Sequence, residues 1–98
     1  MIKLTLLAAV ALMPFSSTAD EAGVYCAGVS KLAGQIMEMR QDNFEASELY
    51  NVLSGNAGSL TIVKMAYESP LYLGAEYKAR EITRFKNEIF MICVSDKS

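Results

Sequence analysis

"VYCAGVSKLAGQIMEMR", residues 24–40, is the stretch whose reading decides the fold. Cys26, Val29, Ala33, Ile36 and Met37 recur at the three- and four-residue spacing of one buried helix face, with Leu32 beside them. Lys31, Gln35, Glu38 and Arg40 occupy much of the remaining circumference. The pattern predicts a helix over 24–40. It should stop near "RQDN", where Asp42 and Asn43 favour a turn or the cap of the next helix.

The same reasoning predicts three further helices. "FEASELYNVLSGNAG" predicts a short helix over 45–53, with Phe44, Leu49, Val52 and Leu53 as its apolar contacts. Gly55-Asn56-Ala57-Gly58 breaks the pattern, and glycine suits the left-handed conformation that ends a helix. Ser59 is placed to cap a third helix over 60–68, with Leu60, Val63, Ala66 and Tyr67 on one face. Pro70 disfavours helical geometry at Ser69 and ends it. A fourth helix over 75–94 carries Ile82, Phe85, Ile89, Ile92 and Cys93 as its stripe. Glu76 with Arg80, and Arg84 with Glu88, stand four apart and pair on its wet side.

The two cysteines, Cys26 and Cys93, lie in the first and last of these helices. The opening stretch "MIKLTLLAAVALMPFSSTA", residues 1–19, reads as a secretory signal peptide. Lys3 supplies the positive end, Leu4 to Met13 the uncharged run, and Ser17-Thr18-Ala19 the small residues of a cleavage site. That run is well short of the roughly 20 apolar residues a membrane-spanning helix needs, and no second run comes after it. Residues 20–98 then form one domain, exported to the periplasm or beyond. There an even cysteine count reads as a disulfide. A domain of this size has a marginal core and gains from such a staple.

Joined by Cys26–Cys93, the first and last helices run antiparallel. Ala33 then faces Lys86 and its neighbour Phe85, and Met37 faces Ile82, so the two stripes meet. The expected fold is all-α: a small bundle of about four helices whose first and last members are antiparallel and disulfide-linked.

The chain has no histidine and no tryptophan. Without histidine it lacks the commonest general base and the commonest zinc ligand, and a disulfide removes both thiolates. No glycine loop for phosphate and no acidic calcium loop appears, and no cofactor is expected. Glu45 and Glu48 could in principle act as a carboxylate pair, but they read better as the acidic first turn of the second helix. Lys3 is the one charged residue lost with the leader, so the whole-chain charge of −2 becomes about −3. That balance argues against nucleic acid and gives no reason to expect an anionic membrane surface. Catalysis is not expected; binding to another protein, or to a second copy of the chain, is.

Two regions carry that expectation. "NEIFMICV", residues 87–94, is apolar on more than one face: Ile89, Ile92 and Cys93 look toward the first helix, leaving Phe90, Met91 and Val94. Another helix could cover them, or they could form a patch for a partner. Met39 fits the first helix's stripe least and is a surface candidate. "AYESPLYLGAEY", residues 66–77, holds three of the five tyrosines around Pro70 and Gly74. Tyr67 belongs to the third helix's apolar face, whereas Tyr72 and Tyr77 are the better surface candidates.

The order of a leader, a helix beginning near Cys26 and ending in "IMEMRQ", then "MAYESP" and "ITRFKNEIFMIC", resembles small exported, largely uncharacterised helical proteins of phage, prophage and proteobacteria. The resemblance covers nearly all of residues 20–98 and rests on packing and turn features. It implies a small helical periplasmic protein and brings no active-site residue. Its context implies inhibition of a cell-wall lytic enzyme or of phage entry. A periplasmic holdase-like chaperone loosened by acid is the alternative, since carboxylates are the groups left to titrate.

Expressed with its leader in a secreting bacterium, the chain should be recovered from the periplasm starting at Asp20. Intact mass reads this directly; a full-length mass in that fraction would refute cleavage.

Overall fold

The computed structural model describes the backbone of residues 2–97 and the side chains of residues 21–96. The expected leader, residues 1–19, lies outside the described side chains. Among the described residues there are four helices and no strand: α1 (Ile2–Gln41), α2 (Ala46–Val52), α3 (Ala57–Tyr67) and α4 (Ala75–Lys97). None is long and apolar enough, within the described residues, to cross a membrane. α1 begins far ahead of the expected residue 24, because its helix runs back through a stretch rich in the good helix formers leucine and alanine.

The α1–α4 pair is the most extensive packing in the molecule, with α3 laid on α1 and α2 on α3. Cys26 and Cys93 are bonded, with S–S 2.07 Å and Cα atoms 5.6 Å apart. At the other end of the pair, the Lys78 ammonium donates to the Gln41 carbonyl. The helices therefore run antiparallel, as the cysteine register requires. Ala33, Ile36 and Met37 of α1 close on Phe85 and Ile89 of α4, joined by Ile62, Val63 and Ala66 of α3 and Leu49 of α2. Gly34 shows how near the two helices come. A Cβ there would lie 2.7 Å from the Lys86 Cδ, and the Ser30 hydroxyl donates to the Lys86 carbonyl at 3.0 Å.

The termini depart from expectation in instructive ways. α1 ends with Asn43 in the left-handed region (φ 68°), the Asn43 N–H bonded to the Arg40 carbonyl and the Phe44 N–H to the Met39 carbonyl. This is the two-bond closure usual after a helix, with asparagine in glycine's place. No described glycine has positive φ, so the break at 55–58 works without left-handed glycine. Asn56, not Ser59, caps α3: its side chain accepts from the Ser59 N–H at 3.0 Å. The inner face of α3 is Ser59, Ile62, Val63 and Ala66, turned from the expected one, and Leu60 is only half-buried.

α2 also differs. Of its expected contacts only Leu49 is buried and Leu53 partly packed, while Phe44 and Val52 are exposed. A seven-residue helix resting mainly on α3 can cover one turn's worth of face. On α4, Ile92 is 44% exposed rather than turned into α1.

The cross-link closes a loop with a sequence separation of 67. Replacing both cysteines by serine should lower urea-unfolding stability by on the order of 2–4 kcal/mol, the upper figure being the chain-entropy value for such a loop. An unchanged midpoint would show that packing alone holds α1 on α4.

Candidate functional site

The connector between α3 and α4, residues 68–74, has no regular hydrogen-bond ladder, so its polar backbone needs partners from elsewhere. Gln41, at the end of α1, provides two. Its Nε2 donates to the Pro70 carbonyl at 3.0 Å, and its Oε1 accepts from the Tyr72 N–H at 2.9 Å. Gln41 is 2% exposed because it continues the buried stripe of Ala33 and Met37 by one more turn. Next to it, Arg40 donates to the Ser69 carbonyl from Nε at 3.3 Å and from a terminal nitrogen at 2.9 Å. The same guanidinium sits 4.9 Å over the Tyr67 ring. The Tyr67 hydroxyl donates to the Phe44 carbonyl at 2.5 Å, and burial pushes its pKa up against the opposing pull of Arg40. Tyr67 is thus the inward tyrosine of the segment.

Ser69 carries the connector to α4. Its hydroxyl donates to Glu81 Oε2 at 2.5 Å, and Arg84 donates to both Glu81 oxygens at 2.8 and 2.5 Å. Glu81 is 6% exposed. The bond from Arg84 holds its carboxyl below the ordinary range, outweighing the opposite effect of burial, and the Ser69 hydroxyl adds to it. Arg84 is in turn raised above its usual value, chiefly by Glu81. Among the described residues no buried side-chain nitrogen or oxygen lacks a partner.

The surface candidates divide between the two ends of α4. Tyr72 is half-buried and Tyr77 is 58% exposed; their rings stack at 6.4 Å between centroids, and Arg80 lies 5.5 Å over the Tyr77 ring. Gly74 makes room for this, since a Cβ there would meet the Tyr77 ring at 3.2 Å. Phe90 and Met91 lie 13 or more residues further along α4, about 20 Å away at the rise of an α-helix. The tyrosine pair and the "IFM" end are therefore separate surfaces. Phe90 is half-buried, Met91 is exposed, and Met39 is half-buried against the core rather than open.

The disulfide end holds a groove of about 430 Å³ between α1, α3 and α4. Val29, Leu32, Ile62, Met65, Ile89 and Ile92 line it with apolar side chains beside Tyr25 and Cys93, Asn56, Ser59 and Thr61 add polar groups, and Asp96 is the charged residue lining it. A second depression of about 530 Å³ lies between α2 and α3, and neither Glu45 nor Glu48 lines it. Both of those carboxylates are on exposed residues. Among the described residues no cluster of three metal-ligating side chains occurs.

No protein-family model matches the chain, and neither the curated proteins nor the solved structures give a match.

Periodicity alone does not reveal the groove or the connector's anchors, although the sequence carries a signal for the anchors. Glu81 and Gln41 each stand four residues from a core member, Phe85 and Met37, on the buried side of their helices. A charged or amide residue there must find buried partners. Replacing Gln41 by Leu should cost about 2–4 kcal/mol, because it strands the Pro70 carbonyl and the Tyr72 N–H. Faster amide exchange at Tyr72 should accompany the lower melting temperature; unaltered exchange would deny Gln41 the anchoring role.

Proposed function

We propose that the chain is a non-enzymatic periplasmic protein that binds another protein through the groove at its disulfide end. The carrying observation is a largely apolar concavity of about 430 Å³ lined by Tyr25 and Ile92 among others, with Val24 and Met91 exposed beside them in sequence. Its volume suits one large apolar side chain of a partner. Asp96, beside the carbonyl end of α4, favours a lysine or arginine next to that anchor. The disulfide is compatible with an oxidising compartment, which supports the periplasmic part of the reading. The sequence resemblance supports a phage- or prophage-related role, with a cell-wall lytic enzyme or a component of phage entry as the inhibited target.

The disulfide-bonded mature protein should retain such a partner from periplasmic extract or phage lysate. Ile92→Asp should abolish retention, whereas Val52→Asp, on an exposed residue of α2 outside the groove, should not. Equal retention by both variants, or none by the parent protein, would sink the groove reading.

A second reading, an acid-activated holdase, is favoured by Glu81, a buried carboxylate tying the connector to α4. Light scattering of an aggregating client at low pH tests it, and absence of suppression eliminates it.

A further inference from the structure

Four side chains fasten the 68–74 connector to α1 and α4. Arg40 holds the Ser69 carbonyl, Gln41 holds the Pro70 carbonyl and the Tyr72 N–H, and Glu81 holds the Ser69 hydroxyl, whose oxygen also lies 3.5 Å from an Arg84 nitrogen. Arginine and the neutral amide keep their state across the whole acidic range. Glu81 does not. We propose that the Ser69–Glu81–Arg84 contact is an acid-released latch, which frees the connector from α4 while the disulfide keeps α1 and α4 together.

The chemistry depends on which atoms donate. As a carboxylate, Glu81 only accepts, and it satisfies the Ser69 hydroxyl and two Arg84 nitrogens at once. One added proton turns an oxygen into a donor and cancels the charge that attracts Arg84. The charged groups around the latch do not replace that attraction. On α4 itself, Arg84 also reaches Glu88 at 3.1 Å and, more loosely, the Ser69 hydroxyl oxygen at 3.5 Å, while Lys78 is occupied by the Gln41 carbonyl. From α1, Arg40 is held by the Ser69 carbonyl and the Tyr67 ring; on the connector, Glu68 is exposed. With no histidine in the chain, no imidazole triggers release near neutral pH.

The sign is fixed by the direction of the Glu81 shift. Its folded pKa lies below the unfolded value near 4.5, so the latch contributes fully above that value. The contribution is lost as pH falls from there through the folded pKa. Each unit of depression is worth about a tenfold change in the latch equilibrium. Release frees the Ser69 side chain from α4, while Gln41 still holds the Tyr72 N–H and Arg40 still holds the Ser69 carbonyl. The latch sits at the opposite end of α4 from the groove, so its failure would leave the groove reading intact. A working latch without client protection would leave the holdase reading refuted and the latch standing.

The test is an NMR titration of the mature, disulfide-bonded protein from about pH 7 to about pH 3, the range that brackets an ordinary glutamate. The Ser69 amide should shift with a midpoint below 4.5, before the Gln41-held Tyr72 amide and core amides such as Ile36 and Phe85 move. In Glu81→Gln that early step should be absent. Should that variant not fold, Ser69→Ala serves, because it cuts the connector from Glu81 but spares the Arg84 pair; its early step should be absent too. An early step that survives in the folded variant overturns the latch. So does a parent protein whose connector moves only with the core, or does not move.

Discussion

The antiparallel seam between α1 and α4 is the constraint on which the rest of the molecule depends. It is narrow because Ser30, Ala33 and Gly34 leave room for α4's backbone and for the stem of Lys86. It is deep because small Ala33 and large Phe85 are buried in one core cluster. The Cys26–Cys93 bond closes one end, and the Gln41–Lys78 contact closes the other. With its register held at both ends, α3 can lay a four-residue face on α1, and α2 needs only Leu49 to complete the cover. A domain this small has little apolar area to spare, which is why closure is shared between a covalent bond and buried polar contacts.

Those polar contacts give the two ends of the bundle different characters. At the α1 C-terminus, Arg40 and Gln41 convert a short irregular connector into part of the core, and Glu81 ties it to α4. Each member is satisfied, which makes a buried network an asset rather than a cost. At the disulfide end, Ile92 and Tyr25 line a groove between α1, α3 and α4.

Much of the fold is legible in the sequence, and the finer packing is not. The four helices, the antiparallel pairing and the cysteine bridge come from periodicity and from an even cysteine count, both of which survive any detail of packing. Helical spacing misplaces Met39 and Ile92 because it assigns a face but not the angle at which a neighbour meets it. Asn56 displaces Ser59 as the α3 cap because both residues are good caps, and only the helix's packing on α1 selects between them. The tyrosines of "AYESPLYLGAEY" separate as expected for Tyr67, yet Tyr72 and Tyr77 share a surface with Arg80 rather than with Phe90 or Met91.

By itself, the sequence determined an all-α chain whose first and last helices pair through Cys26 and Cys93. The spacing of apolar residues is a local property, and it reports each helix's buried face directly. Only the tertiary structure decided that Gln41, Ser69 and Glu81 meet, or that Ile92 lines a groove. Gln41 and Tyr72 are 31 residues apart, and Ser69 and Glu81 are 12. Side-chain hydrogen bonds over such separations are chosen by the depth and angle at which helices pack, quantities no linear pattern encodes.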